Sequence, residues 1–149
     1  MSEMAMGIAA PEGVALTVLT HLKNGKIDEA IARFVEQLTF KDHGIGLEFK
    51  DTERLSAFFR KTQELYPDSC LETNTIFVSG EHVIMEWTLQ TSVTEPFYGG
   101  LSRKVHVSVH GASIVRTENG KITEWADYYD GLTARRTALA AHFKEWVEL

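Results

Sequence analysis

The second half of the chain consists largely of stretches in which apolar and polar residues alternate, and some of the turns between them are very short. Four such stretches cover residues 71–79, 82–92, 105–115 and 121–129. Alternation with a period of two residues is typical of β-strands that bury one face. Turns as short as residues 79–81 cannot contain the crossover that parallel neighbours require. The sequence therefore predicts a meander of four antiparallel strands.

The first half of the chain shows helical periodicity instead. Helices are predicted over residues 11–24, 28–34 and 52–66, and Asp28 is placed to cap the second. Residues 38–49 between them are mostly extended in character. Helices that precede a long meander are typical of an α+β fold.

The whole chain, residues 1–149, is predicted to form one domain. Residues 1–12 are expected to be a flexible leader, with the helix signal starting at Pro11, and residues 132–147 are expected to close the chain as a helix. The predicted architecture is three N-terminal helices packed on a curved antiparallel sheet, followed by this C-terminal helix. A hollow between the sheet and the helices is a natural site for a small molecule.

Composition excludes several classes of function. The net charge is -6 and the Lys and Arg residues are scattered, which argues against binding nucleic acid. No apolar run approaches the roughly 20 residues that span a bilayer, so no membrane interaction is expected. The lone Cys70 excludes an intrachain disulfide, and the N-terminus lacks the features of a secretory signal. We expect a cytoplasmic protein in which Cys70 is a buried structural thiol.

A carboxylate near the end of the last strand is the strongest candidate for chemistry. Asp is rare inside strands, and alternation places Asp127 on the same face as Thr123, Trp125 and Tyr129. An inward carboxylate among aromatic rings is partly desolvated, which raises its pKa towards the range of a useful general acid or base. The alternative is a carboxylate bonded to the backbone or paired with an arginine of residues 135–136.

The order of elements and the sequence GKITEWADYYD at residues 120–130 resemble a known superfamily. They are similar to the cystatin-like α+β barrel of nuclear transport factor 2-like proteins. Its branches include ketosteroid isomerase, limonene epoxide hydrolase and the SnoaL-like polyketide cyclases, and residues 120–130 are most similar to the last two. The resemblance covers about residues 13–135. It implies a homodimer that buries the outer sheet face, including Ile84 and Ile114.

The resemblance to limonene epoxide hydrolase assigns positions to its Asp–Arg–Asp catalytic set. One Asp falls on Asp127, whereas the positions of the Arg and of the second Asp hold Trp87 and Leu89. The Tyr and Asn that help to hold the water fall near Phe40 and Asp42. Two of the three charged groups are therefore replaced, and an unmodified hydrolase mechanism is not expected.

The other two branches assign different residues. The general base of ketosteroid isomerase falls on Asp42, but its oxyanion-binding Asp falls on Ala112, which has no donor. SnoaL-like cyclases need little more than one acid/base Asp, which the resemblance places at Asp127. Counting back from Gly120 against the family pattern turns His110 into the pocket. Alternation alone turns the neighbouring valines inward and His110 outward, so both orientations stay open.

These observations predict a cofactor-free protein with a pocket for a small hydrophobic molecule. The predicted catalytic residues are Asp127, Asp42 and His110. The predicted substrate-binding residues are Phe40, Phe58, Trp87, Leu89, Trp125 and Tyr129. No compact motif of metal ligands is present, so no metal is predicted. The expected reaction is an aldol-type cyclisation, an isomerisation or a hydrolysis. The alternatives are a non-catalytic ligand-binding or interaction module, and a divergent limonene epoxide hydrolase-like enzyme that lacks the Arg and the second Asp.

Overall fold

Helices and strands follow one another in the order that the sequence predicts, within the part of the chain that the structure describes. The computed structural model describes residues 9–96 and 102–132. The elements are α1 (Pro11–Lys23), α2 (Ile27–Ile31), β1 (Phe34–Asp42), β2 (Leu47–Phe49), α3 (Thr52–Leu65), β3 (Cys70–Ser79), β4 (His82–Pro96), β5 (Ser102–Glu118) and β6 (Lys121–Tyr129). Residues 1–8 of the predicted leader and nearly all of the predicted closing helix lie outside the described residues.

The strands form one curved, unclosed sheet in the order β2-β1-β6-β5-β4-β3. The predicted antiparallel meander is confirmed, because β3, β4, β5 and β6 pair with their sequence neighbours in antiparallel fashion. The predicted α+β class is confirmed as well. An additional feature is the parallel pairing of β1 with β6, which places the end of the first strand beside the end of the last.

Several boundaries differ from those predicted, and Asp28 does not cap the second helix. Helix α2 begins at Ile27 without a side-chain cap, and the Asp28 carboxylate accepts a hydrogen bond from Arg60 instead. The second helix ends at Ile31, and Phe34 begins β1 opposite Ile122 instead of closing the helix. Phe34 lies three residues after Ile31, which is the spacing of two apolar residues on one face of a helix. The same spacing also occurs when a helix ends and the next core side chain begins a strand. The β4–β5 ladder also extends to Pro96 and Ser102, so the hairpin is longer than the predicted strands.

The core lies between α1, α3 and the inner face of the sheet, which is defined here as the face that packs on these helices. Its fully buried side chains come from both layers and include Val14, Val18, Leu38, Leu55, Met85, Val115 and Ile122. Burying each such side chain contributes about 1.5–3 kcal/mol. Helix α3 starts where its cap predicts, because the Asp51 side chain accepts a hydrogen bond of 2.8 Å from the Arg54 backbone N–H. None of the described helices is long and apolar enough to cross a membrane.

A register shift in β6 decides which of its side chains face the core. Thr117 pairs with Ile122 whereas Arg116 pairs with Glu124, so Thr123 is an extra residue in β6. Ile122 and Trp125 are therefore both buried although they lie three positions apart. The predicted alternation holds from Trp125 to Tyr129, but Thr123 does not belong to it.

Candidate active site

Inner-face side chains lie in rows that run across neighbouring strands. An apolar, fully buried row consists of Phe40, Trp125, Val115 and Val83. The next row contains the polar groups and consists of Asp42, Asp127, Ser113 and Met85. The row after that consists of Tyr129, Gly111 and Trp87. The two carboxylates therefore lie between a closed apolar layer and an aromatic layer.

The Asp127 carboxylate is half-buried and is held through one of its oxygens. Oδ1 accepts hydrogen bonds from the Ser113 hydroxyl at 2.5 Å and from the Trp125 indole Nε1 at 2.7 Å. Among the described residues, none donates a hydrogen bond to Oδ2. Burial raises the pKa of Asp127 to about 6, an effect that the charge of Asp42 reinforces and the two hydrogen bonds oppose. Such a group exchanges protons readily near neutral pH.

Asp42 lies at the end of β1 and is only 6% exposed. Its Oδ1 accepts the backbone N–H groups of Gly44 at 3.0 Å and Ile45 at 3.1 Å. This is an Asx-type turn, so Asp42 does have the role in turn formation that its sequence context suggests. Asp42 is also the Cα partner of Asp127, which brings the second carboxylate to the same site.

Tyr129 connects the aromatic row to Asp42. Burial, a hydrogen bond to Asp42 and the charges of Asp42 and Asp127 all raise the pKa of the Tyr129 phenol. The phenol therefore stays protonated at neutral pH and donates to Asp42. A Cβ atom on Gly44 would overlap the Tyr129 ring, so this glycine is what allows the ring to lie against the turn.

Trp87 reaches Asp127 indirectly, through Ser113. The Trp87 indole Nε1 donates to the Ser113 hydroxyl at 2.8 Å, and the Trp87 ring lies 5.9 Å from the Tyr129 ring between centroids. Ser113 is not among the site residues predicted from the sequence. The available signal was a polar residue that follows Gly111 in a series of alternate positions otherwise occupied by valine, from Val105 to Val115.

His110 does not lie at this site. It is exposed on the outer face of the sheet, where its Nδ1 atom lies 3.1 Å from the Thr88 hydroxyl. Gly111 and Ser113 share the inner face of β5, and the β4–β5 ladder is continuous, so His110 must point the other way. The orientation derived from alternation is correct, and the pocket-facing orientation derived from the family pattern is wrong.

The remaining predicted residues lie in three places. Phe40 and Trp125 are buried and stacked, with ring centroids 6.4 Å apart, and they form the layer beneath the carboxylates. Leu89 lies on the inner face of β4 one step beyond Trp87, opposite Val109. Phe58 belongs to an aromatic cluster of α3, where its ring centroid is 4.9 Å from that of Phe49. The structure thus brings Asp42, Trp87, Trp125 and Tyr129 around Asp127.

Two surface depressions do not include Asp127 in their lining. One, of about 390 Å³, is bordered by Glu29, Arg33 and Lys121, and the other, of about 180 Å³, lies on the outer sheet face near Ile114 and Tyr128. Neither is lined by a predicted catalytic residue. Within the described ranges, no three His, Cys, Asp or Glu side chains converge in the manner of metal ligands.

Solved structures share this fold at low sequence identity. An LEH-like epoxide hydrolase of M. tuberculosis is 20% identical with a TM-score of 0.66, over 83% of this chain and 80% of that one. A Shewanella putrefaciens protein assigned as a SnoaL-like polyketide cyclase is 12% identical with a TM-score of 0.75, over 91% and 90%. A Catenulispora acidiphila protein with a ketosteroid isomerase-like fold, solved with trimethylamine, is 19% identical with a TM-score of 0.70, over 81% and 88%.

A comparison with curated proteins finds no match. The sequence profile of the SnoaL-like polyketide cyclases, by contrast, matches residues 47–137, which is more than half of the chain. The matched segment includes β3 to β6 and with them Trp87, Ser113 and Asp127. By fold and by sequence, the chain belongs to the SnoaL-like polyketide cyclase family.

Proposed function

We propose that this chain is a cofactor-free acid/base enzyme in which Asp127 exchanges a proton with a small hydrophobic substrate. The observation that supports this most directly is the state of the Asp127 carboxylate. It is anchored through Oδ1 by Ser113 and Trp125, and its pKa is raised to about 6. A carboxylate whose pKa lies near the working pH is effective as a general base and, once protonated, as a general acid.

The proposed step is removal of a proton from a carbon next to a carbonyl group. Ionised Asp127 takes the proton, and the C–H electron pair moves into the enolate. The protonated carboxyl then returns the proton to another carbon, which is an isomerisation. In the cyclisation variant, the enolate carbon attacks a second carbonyl and Asp127 protonates the resulting alkoxide. In both reactions, protons and electrons balance without a cofactor.

The groups around Asp127 favour this chemistry over epoxide hydrolysis. Trp87 and Leu89 occupy the positions to which the resemblance assigned the Arg and the second Asp of the hydrolase, and both belong to the inner face of β4. A neutral indole N–H and an aliphatic side chain supply neither the carboxylic acid that protonates an epoxide oxygen nor the positive charge of the Arg. Aromatic neighbours such as Trp125 and Tyr129 fit an uncharged substrate.

A second candidate is a ligand-binding module without catalysis. The loss of charge at Trp87 and Leu89 supports it, since the same aromatic surroundings suit a bound ligand that does not react. The two candidates differ in whether Asp127 removes a proton. A test therefore has to detect proton transfer itself.

Deuterium exchange at the α-carbon of enolisable ketones provides that test, because it detects proton removal whatever reaction follows. Wild type, Asp127→Asn and the control Glu124→Gln are followed by NMR in D₂O, and a panel of epoxides is assayed in parallel. Glu124 is an exposed carboxylate on the same strand. We expect exchange by wild type and control, a loss of at least about 100-fold in Asp127→Asn, and a rate that rises with pH around a midpoint near 6. Tight ligand binding without exchange by any of the three proteins would establish the binding module instead.

A further inference from the structure

We propose that Trp87 and Ser113 are positioning residues that fix the Asp127 carboxylate so that Oδ2 is the oxygen that carries and transfers the proton. The hydrogen bonds from Trp87 to Ser113 and from Ser113 to Asp127 are called the relay here. The catalytic role of the relay rests on the proposed function. The relay itself is a property of the folded chain, so it can be tested without any turnover.

The direction of each hydrogen bond in the relay follows from its chemistry. An indole N–H can only donate, so the Ser113 oxygen must accept from Trp87 across the 2.8 Å contact. The single hydrogen of the Ser113 hydroxyl then points to Asp127 Oδ1, 2.5 Å away. Ser113 is only 1% exposed, so bulk water does not compete for either bond. The hydroxyl is therefore held in one orientation.

Oδ1 is occupied by donors in both protonation states of Asp127. It accepts from Ser113 and, at 2.7 Å, from the Trp125 indole, which likewise can only donate. A proton added to Oδ1 would meet two hydrogens that already point at that atom. The added proton consequently resides on Oδ2, for which no described residue provides a donor.

The local backbone is shaped to allow this relay. Trp87 and Gly111 are Cα partners across β4 and β5, and a Cβ atom on Gly111 would overlap the outer edge of the Trp87 ring. The ring therefore lies across β5 and places Nε1 against Ser113, two residues further along the strand. A glycine inside a strand is usually unfavourable, and close approach of another group is a common reason for its presence.

A direct consequence is that ionisation of Asp127 should change the environment of two indole N–H groups. One belongs to Trp125, and the other belongs to Trp87 and responds through Ser113. Among the described residues, the other titratable groups that face Asp127 are Asp42 on β1 and Tyr129 on β6. The Tyr129 phenol stays protonated up to high pH. The response of both indoles should therefore follow Asp127 in the neutral range.

NMR of indole-¹⁵N-labelled protein tests the relay. The Nε1–H signals are assigned with Trp→Phe variants and followed from about pH 4.5 to 8. We expect the Trp87 and Trp125 signals to shift with a common midpoint near 6, and we expect Asp127→Asn to abolish both shifts. Ser113→Ala should abolish the Trp87 shift only and raise the Trp125 midpoint by about half a unit to one unit, because a hydrogen bond to the ionised form is lost.

Controls separate the relay from general effects on the fold. Thr117→Val removes another buried hydroxyl from the inner face of β5, one that bonds to the Glu81 backbone carbonyl, and should leave both shifts intact. Trp87→Phe tests the relay from its other end and should also raise the Trp125 midpoint.

A Trp87 signal that does not move in wild type, or one that still moves in Ser113→Ala, overturns the proposal. If both indoles respond but no ketone exchanges deuterium, the relay stands and the proposed function fails. If Asp127→Asn abolishes deuterium exchange but the Trp87 signal of wild type does not shift with pH, the proposed function stands and the relay fails.

Discussion

Asp42 and Asp127 are Cα partners across the parallel pair β1–β6, yet their carboxylates are held by different kinds of donor. Asp42 accepts the backbone N–H groups of its own turn and the phenol of Tyr129. Among the described residues, the donors to the Asp127 carboxylate are side chains, and both bond to Oδ1. Two neighbouring carboxylates thus have different roles. Asp42 builds the turn and supplies a negative charge, while Asp127 has a second oxygen, Oδ2, to which no described residue donates a hydrogen bond.

Neutralising Asp42 should lower the pKa of Asp127. In Asp42→Asn the amide oxygen can still accept the turn hydrogen bonds, but the charge that raises the pKa of Asp127 is gone. We expect the titration midpoint of Asp127 to fall from about 6 by roughly half a pH unit. This midpoint is measured by following the carboxyl ¹³C chemical shift of Asp127 as a function of pH. Asp51→Asn, at the cap of α3, should leave the midpoint unchanged, and a midpoint that rises in Asp42→Asn would contradict the expected role of Asp42.

Asp127 should make the fold less stable at neutral pH than in mild acid. Its pKa in the folded protein is about 6 against an ordinary value of 3.8, so between these values the folded state binds the proton more tightly than the unfolded state. This contribution to stability is fully present below about pH 4 and is lost as the pH rises through 6. Relative to wild type, Asp127→Asn should therefore gain up to about 3 kcal/mol in unfolding free energy between pH 4 and pH 7.5.

Urea unfolding of both proteins at the two pH values measures this gain. Glu124→Gln, which changes an exposed carboxylate on the same strand, should show a difference of less than about 0.5 kcal/mol between the two pH values. A gain for Asp127→Asn that is no larger than this control would show that burial does not disfavour the ionised Asp127 carboxylate.

Gly44 and Gly13 should respond in opposite ways to the same substitution. A Cβ atom on Gly44 would overlap the Tyr129 ring, so Gly44→Ala should destabilise the fold by about 1–3 kcal/mol and weaken the bond between Tyr129 and Asp42. A Cβ atom on Gly13, inside α1, would contact nothing, so Gly13→Ala should stabilise by up to about 1 kcal/mol. Thermal unfolding of the two variants compares them directly. Similar effects for both would mean that the Tyr129 ring is not fixed against the turn.

A homodimer through the outer sheet face remains a prediction. Ile84 and Ile114 are Cα partners across β4 and β5, and each is 40% exposed in the single chain. Burying this apolar pair in a dimer would remove it from water. Sedimentation of wild type should give the mass of a dimer, and Ile84→Glu should shift it towards the monomer. Leu65→Glu, on the exposed side of α3, is the matched control and should remain dimeric. A monomeric wild type would exclude the predicted interface.

Local signals in the sequence located much of the site, but not all of its members. Asp127 stands out in the sequence because a carboxylate is unusual within a strand, and alternation correctly places Trp125 and Tyr129 on its face. Ser113 gives no such signal, because a serine on a strand can have many structural roles and its contribution to a site depends on the residue that lies opposite. Trp87 lies 26 positions before Ser113, and only the β4–β5 register brings the two together.

Patterns within the sequence predict the strand and helix periods and the antiparallel meander, and they mark Asp127 as a candidate inward carboxylate. These depend on steric and hydrophobic patterns within a few residues or across short turns. The folded structure was needed to show that Asp42 lies beside Asp127 and that Thr123 leaves the alternation, and it decided between the two orientations that the sequence left open for His110. The parallel β1–β6 register is fixed by the packing of the whole core between segments far apart in the chain, and no local pattern encodes that balance of contacts.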